Sequence, residues 1–402
     1  MKTYYKREIY INKIKPFINK DIIKVLIGQR RVGKSYILLQ IIDLLKNNYG
    51  IKDEQIIYIN KELNEFDYIN NYQDLLDYIN KDNQNIKKYI FIDEIQDITG
   101  FEKALRDLQA LGNYDIYISG CNANMLSSEI ASYLTGRYIE FEIYPLTFKE
   151  FLEFHKLEKS KETFLKYIKY GGLPFLINLK LEDEVVFDYI KSIYNTIILK
   201  DIVKRYNIRN IDFLEKLILF LSDNIGSLFT ANNISKYIKS KKIKIGTNKI
   251  LDYINHACNV VLINKVKRKD IIGKKIFEIN DKYYFTDIGI RNVLLGGYKQ
   301  VDIGKIIENI VFLRFKSHSY KINIGKIKEN EIDFIVEKNG DIKYIQVAYI
   351  IDSEKNRKRE FENLIDIKDN YEKIVLSLDD FIEGNYKGIK HYNLIDYIYN
   401  FE

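Results

Sequence analysis

The run Gly28-Gln29-Arg30-Arg31-Val32-Gly33-Lys34-Ser35 constrains this chain more than any other feature. It fits G-x-x-x-x-G-K-[ST], and it lies between a short β-branched run, Ile22–Ile27, and an amphipathic stretch, SYILLQIIDLL. Strand, glycine loop and helix is the context in which such a loop wraps a chain of phosphates. Glycines let the backbone come close, amide N–H groups converge, and the helix N-terminus adds partial positive charge. Residues Gly28 to Tyr36 are therefore the expected cradle for ATP. Lys34 is placed to reach the β- and γ-phosphates and Ser35 to ligate Mg2+.

From Asp21 to about Pro145 short apolar runs alternate with helical patterns. The runs are Ile22–Ile27, Gln55–Asn60, Lys88–Ile92, Asp115–Ser119 and Tyr138–Ile143. Strands buried on both faces and alternating with helices predict a parallel α/β sheet. The third run ends in Asp93-Glu94. A strand delivering two carboxylates to the ligand edge suits an Mg2+ ligand, Asp93, followed by a general base, Glu94, that orients and deprotonates water. This pair favours hydrolysis over transfer to a second substrate. The fourth run ends in Ser119-Gly120-Cys121-Asn122 and is expected beside the Asp-Glu strand. Ser119 and Asn122 are candidates to contact the γ-phosphate or the water; the alternative is a plain turn. Arg137, just before the fifth run, is a candidate arginine finger, which in trans would require an oligomer, or else a surface arginine.

After Leu146 the strand signals stop, and LTFKEFLEF and KETFLKYIKY read as helices broken at Gly171-Gly172-Leu173-Pro174. Residues 206–297 read as helix, helix and then two strands, LINKVKRKD and KKIFEINDKYYFTD, joined near Gly273, a winged-helix order. The segment 236–275 is basic, with Lys236, Lys239, Lys241, Lys242, Lys244 and Lys249 in its first half. Lys265, Lys267, Arg268, Lys269, Lys274 and Lys275 follow on the expected hairpin. Two readings stand open: a phosphate-gripping surface for DNA, or a lysine-rich surface in a lysine-rich chain. A helix near 302–315 and strands near 320–324, 331–336 and 343–351 open a further α/β unit. The expected divisions are 1–145, 146–205, 206–297 and 298–402.

Composition narrows the rest. A 46% hydrophobic and 30% charged chain supports globular cores, and a net charge of +7 permits an anionic partner without demanding one. Two cysteines and four histidines, scattered, make neither a disulfide framework nor a zinc site. The N-terminus lacks a signal-peptide pattern and no run reaches membrane-spanning length, so a cytoplasmic protein is expected.

Taken in order, GQRRVGKS, FIDEIQ, SGCNANML, LTGRYIEFEIYPLTFKEF and GGLPF resemble the AAA-type ATPases of archaea and bacteria that carry a restriction-endonuclease-like C-terminal domain of unknown function. The resemblance spans the chain. It implies an α/β fold: a P-loop NTPase parallel sheet, AAA-like and of the additional-strand, catalytic-glutamate kind, with a helical lid, then a winged helix, then a restriction-endonuclease-like α/β domain.

Nucleases of that type use a helical Glu, an Asp at a strand end and an Asp/Glu-x-Lys on the next strand to hold Mg2+ and activate water. Here Glu308 and Asp333 match, but the third element reads Gln346-Val347-Ala348. Glutamine removes a charge, alanine removes the ammonium, and Lys343 falls on the opposite strand face. The expectation is a degenerate nuclease-like module on an ATPase that acts on or near DNA. The alternatives are a nucleotide-gated protein-interaction switch and, behind it, an ATP-dependent nuclease.

Overall fold

The computed structural model describes residues 5–80, 86–121, 136–229, 246–273, 275–276, 281–380 and 384–401. The chain divides into two compact units, Met1–Tyr144 with Asn259–Val261, and Pro145–Cys258 with Leu262–Glu402.

The first unit runs α1 (Glu8–Ile14), β1 (Ile23–Ile27), α2 (Lys34–Tyr49), β2 (Ile56–Asn60), α3 (Tyr72–Asn80), β3 (Lys88–Asp93), α4 (Phe101–Leu111), β4 (Tyr114–Gly120) and β5 (Tyr138–Glu142). Each expected apolar run is one of these strands. They form one sheet in the order β2-β3-β4-β1-β5, with every pair parallel. Side-chain alternation sends Ile23, Val25 and Ile27 of β1 to one face, against Leu75 of α3 and Leu105 of α4. Leu26 goes to the other face with Phe91 and Tyr117, under Ile37 and Ile41 of α2 and Ile14 of α1. Each such side chain contributes roughly 1.5–3 kcal/mol on burial; β1 and β3 are buried at every position, Lys24, Lys88 and Asp93 included, and those three need polar partners instead. Helices α2 and α4 stop at Gly50 and Gly112, whose φ values of 68° and 72° lie in the left-handed region that glycine adopts freely.

One strand position decides the site. β4 lies between β1, which feeds the glycine loop, and β3, which ends in Asp93. At the far end of the sheet β4 is tied down by a buried network. Lys24 of β1 makes an ion pair with Asp115, and Asp115 Oδ2 also accepts from the Tyr117 hydroxyl at 2.9 Å and the Asn19 amide at 2.9 Å. Burial lowers the pKa of Lys24, and Asp115 opposes that pull.

The second unit begins with α5 (Phe148–His155), α6 (Lys161–Tyr170), α7 (Asp183–Thr196), a π-helical continuation (Ile197–Lys204), α8 (Ile211–Asp223) and α9 (Thr247–Asn259). The Gly171-Gly172 break ends α6 as expected, and for a reason the sequence does not give. A Cβ on Gly172 would lie 2.5 Å from Leu146 O, and one on Gly171 would lie 2.5 Å from Gly289 N. Three backbone segments therefore meet here, joined by the Asp287 carboxylate, which accepts the Gly172 amide at 2.8 Å.

There follow β6 (Ile263–Val266), β7 (Arg268–Asp270), β8 (Lys282–Phe285), α10 (Ile288–Leu294), α11 (Ile303–Ser317), β9 (Lys321–Ile327), β10 (Asn330–Lys338), β11 (Asp341–Val347), α12 (Glu354–Ile365), β12 (Glu372–Ser377), β13 (Asn385–Tyr386), β14 (Ile389–Asn393) and α13 (Leu394–Asn400). A seven-stranded mixed sheet has the order β13-β14-β12-β11-β10-β9-β7. β9, β10 and β11 are an antiparallel meander, and β12 joins β11 in parallel after α12.

The run LINKVKRKD, expected as one hairpin strand, is two. Its first half, β6, pairs antiparallel with β8. The chain then turns at Lys267, whose carbonyl accepts from Ile324 N at 3.0 Å, and β7 adds to the edge of the large sheet beside β9. The strand expected over 343–351 ends at Val347.

Candidate functional site: a glycine loop facing two carboxylates

The glycine loop leaves β1 at Gly28. A Cβ there would lie 2.4 Å from the Ile143 carbonyl, so the loop begins where only glycine fits. Gly33 (φ 97°) and Arg31 (φ 69°) take left-handed backbone to complete the wrap. Val32 is buried against α2, while Arg31 and Tyr36 are exposed. Lys34 is 4% exposed and folds back over the loop, its Nζ donating to Gly28 O at 3.0 Å and Gln29 O at 3.2 Å. The Gln29 side chain is fully buried, and neither of its polar atoms finds a partner among the described residues. Arg30 reaches sideways to Glu62 Oε1 at 3.0 Å.

Asp93 and Glu94 meet this loop from β3. The Ser119 hydroxyl, at the end of the intervening β4, donates to Asp93 Oδ1 and accepts from the Glu94 amide at 3.3 Å. Burial raises the Asp93 pKa, and the Ser119 and Ser35 hydroxyls offset part of that rise. Asp93 Oδ2 is buried with no hydrogen-bond partner among the described residues. It is an acceptor next to Ser35 that a hydrated Mg2+ would satisfy, so these residues fit the ion.

Glu94 stands in left-handed backbone, φ 56° and ψ 49°, which turns its side chain toward the loop. Its Oε1 lies 3.7 Å from Lys34 Nζ. Burial acts to raise its pKa, but the Lys34 and Arg30 cations and hydrogen bonds from Gln96 and Cys121 hold it below the usual carboxylate value. Gln96 Nε2 and the Cys121 thiol, the latter at 3.4 Å, both donate to Glu94 Oε2. Sequence reasoning gave Gln96 no role and treated Cys121 as a scattered thiol. Their contact depends on the left-handed turn at Glu94, which no sequence pattern announces.

Arg137 is exposed at the start of β5, where Tyr138 aligns with Ile23 at the start of β1. The glycine loop begins at the other end of β1, about 13 Å further on at ~3.3 Å per strand residue. Arg137 thus lies at the wrong end of the sheet to reach the loop of the same chain. Asn122 lies outside the described residues.

The nuclease-like residues come together in the second unit. Glu308 on α11 and Asp333 on β10 face the same point, and Gln346 on β11 lies beside Asp333, accepting the Asp333 amide at 3.4 Å and donating to Glu360 at 3.0 Å. Lys343 points to the other face, where it pairs with Glu372 at 2.8 Å. The unforeseen member is Lys282 of β8. Its ammonium lies 3.0 Å from Glu308, 2.7 Å from Glu331 and 3.9 Å from Asp333. No group of three or more His, Cys, Asp or Glu side chains among the described residues stands in a metal-holding arrangement.

Of the basic segment, Lys236, Lys239, Lys241, Lys242, Lys244 and Lys274 lie outside the described residues. Lys249, Lys267 and Lys275 are exposed, and Lys265 is paired with Asp281 at 2.8 Å.

The parallel sheet, its glycine loop and the strand interposed before Asp93 define a P-loop nucleotide-binding domain of the AAA class. Residues 20–152 match the family model described as AAA domain, and residues 161–300 match a domain of unknown function, DUF8612. The chain is 36% identical to an uncharacterized protein of Haemophilus influenzae over 404 residues, 99% of each chain. It is 33% identical to an uncharacterized protein of Methanocaldococcus jannaschii over 376 residues, 86% of this chain and 80% of that one. The chain belongs to the family of these two proteins, and its first third is an AAA domain. Among solved structures it is similar to Aeropyrum pernix ORC1 in complex with DNA at a TM-score of 0.32 and 11% identity, covering 74% of this chain and 94% of that one. It is also similar to the Thermotoga maritima RuvB Holliday junction branch migration motor at 0.34 and 13%, covering 65% and 90%. No helix among the described residues is long and apolar enough to cross a membrane.

Proposed function

We propose that this protein is an Mg2+-dependent ATPase that couples ATP binding and hydrolysis to an action on or near DNA in the cytoplasm. The observation that carries the hydrolytic reading is Glu94. It is buried yet kept anionic and is aimed at the mouth of the glycine loop 3.7 Å from Lys34. A carboxylate in that state can accept a proton from water. ATP would displace Lys34 from the Gly28 and Gln29 carbonyls and draw it onto the phosphates, with the loop amides of Gly28 to Ser35 around the chain. Ser35 and Asp93 would hold Mg2+, which neutralises charge on the phosphates when bound. Ser119 keeps Asp93 and Glu94 in fixed relation. Arg137 would act on the site of a second copy, which makes the working form an oligomer.

The DNA side of the proposal rests on the exposed Lys249, Lys267 and Lys275 together with the rest of the basic segment 236–275. The order of α8, α9 and the β6–β8 pair supports reading that region as a winged helix. The α11-β9-β10-β11-α12-β12 order supports reading the C-terminal part as a restriction-endonuclease-like fold.

The test is steady-state ATP hydrolysis by the purified chain and by Glu94→Gln, with and without duplex and single-stranded DNA. Turnover that DNA stimulates and Glu94→Gln abolishes supports the proposal. ATP binding without measurable turnover under every condition replaces it with the nucleotide-gated switch.

A further inference from the structure

The carboxylates of the C-terminal sheet are arranged by strand periodicity. Glu331 and Asp333 are two apart on β10 and so share a face; Lys282 and Tyr284 are two apart on β8 and share another. The two faces meet over Glu308. Its Oε1 accepts from Lys282 Nζ at 3.0 Å and from the Tyr284 hydroxyl at 2.6 Å. Lys282 is 2% exposed. Gly226, in left-handed backbone at φ 70°, closes the other side, with its Cβ position 3.1 Å from both Glu308 carboxylate oxygens.

These residues do not fit a catalytic metal. The centre of the cluster is filled, and an octahedral Mg2+ with oxygens at about 2.0–2.1 Å and its retained waters would need the space Lys282 takes. Electrostatics agrees with the geometry. Burial alone would lower the pKa of Lys282, but Glu308, Asp333 and Glu331 together raise it above the ordinary lysine value. Burial, then Glu308, raises the Asp333 carboxyl well above its usual range, and the Lys282 ammonium opposes that rise.

We propose that the Glu308–Glu331–Asp333 cluster is a cation site whose resident cation is the ammonium of Lys282. A tethered charge from β8 stands where a nuclease would hold its divalent ions. The cluster then serves as an ionic anchor that fixes the β6–β8 pair to the mixed sheet and leaves nothing free to activate water. Removing one partner of such a buried group leaves uncompensated charge, so a cation from solution should replace the missing ammonium. Ca2+, which accepts a flexible set of about six to eight oxygen ligands, suits such an unplanned group of carboxylates better than Mg2+, which demands near-ideal octahedral geometry.

The experiment is calorimetric and thermal titration of the full chain with CaCl2 and MgCl2 at constant ionic strength. Lys282→Met should bind Ca2+ at least tenfold more tightly than the parent, regain unfolding midpoint with Ca2+ more than with Mg2+, and lose both effects when Glu308→Gln is added. The parent and its Glu308→Gln variant should respond to Ca2+ alike, a comparison that stands even if Lys282→Met fails to fold. The proposal is overturned if the parent binds Ca2+ or Mg2+ in a manner that Glu308→Gln removes, or if folded Lys282→Met gains no affinity over the parent.

Discussion

Lys34 Nζ and Glu94 Oε1 face each other at 3.7 Å across the mouth of the glycine loop, an arrangement that gives each residue a task before nucleotide arrives. Lys34 holds the loop carbonyls, and its charge keeps Glu94 ionised. Lys34→Ala should abolish tight ATP binding. Glu94→Gln should retain ATP binding while turnover falls ~10²–10⁴-fold, the usual worth of a positioned base. Equilibrium binding of a fluorescent ATP analogue, set beside phosphate release, separates the two. Parental turnover in Glu94→Gln would remove the base assignment.

Because Arg137 stands at the sheet end remote from its own glycine loop, its catalytic use requires a neighbour. Arg137→Ala should leave ATP affinity within about twofold and lower turnover by up to ~10³–10⁵-fold, the range of arginine fingers. Mixing Arg137→Ala with Glu94→Gln should restore part of the activity, since some interfaces then combine an intact arginine with an intact glutamate. Turnover per subunit should rise with protein concentration. Unaltered turnover in Arg137→Ala would return this side chain to the surface.

The Lys24–Asp115 pair is completely enclosed, so losing one partner strands the other. Lys24→Met should destabilise the protein by about 3–5 kcal/mol. Adding Asp115→Asn should recover part of that loss in chemical denaturation. A Lys24→Met variant as stable as the parent would mean that water reaches the pair.

Burial in α5, with its ring 4.4 Å from that of Phe151, lowers the His155 pKa from 6.5 to about 4. Its Nε2 has no hydrogen-bond partner among the described residues. Between these values the unfolded chain binds a proton that the folded chain refuses. The group's contribution to stability is complete above pH 6.5 and is lost as pH falls toward 4. His155→Leu should flatten that part of the profile of unfolding midpoint against pH. An unchanged slope would place a proton on the folded imidazole.

With Lys282 in the carboxylate cluster, Gln346 on β11 and Ala348 just beyond its end, DNA incubated with Mg2+ and the pure protein should stay intact. Any residual cutting should be unaffected by Asp333→Ala. Cleavage that Asp333→Ala eliminates would restore the nuclease reading.

The P-loop domain was legible because its signals are local. A β-branched run entering G-x-x-x-x-G-K-S is a strand meeting a phosphate loop, and Tyr89-Ile-Phe-Ile ending at Asp93-Glu94 is a buried strand with a charged edge. Lys343 was likewise placed on the correct face by counting in twos. What escaped were relationships between distant parts of the chain. Lys282 read as one lysine among many because Glu308, Glu331 and Asp333 lie in other elements. The division of LINKVKRKD between two sheets left no mark, since Lys265 to Lys269 have the same character on both sides of the break. Gln96 gained its contact only from the left-handed turn at Glu94.

The position of β4 has a mechanical consequence. Asp115, Tyr117 and Ser119 share one face of the strand, with Asp115 bonded to β1 at one end and Ser119 to Asp93 of β3 at the other. A strand pinned at both ends, to different neighbours, cannot slide between them without breaking a buried ion pair. The sheet is therefore a fixed jig. On the proposed ATPase reading, any motion would be delivered by the segments that leave the strand ends, and the amides of β4 should be among the last in the domain to exchange their hydrogens.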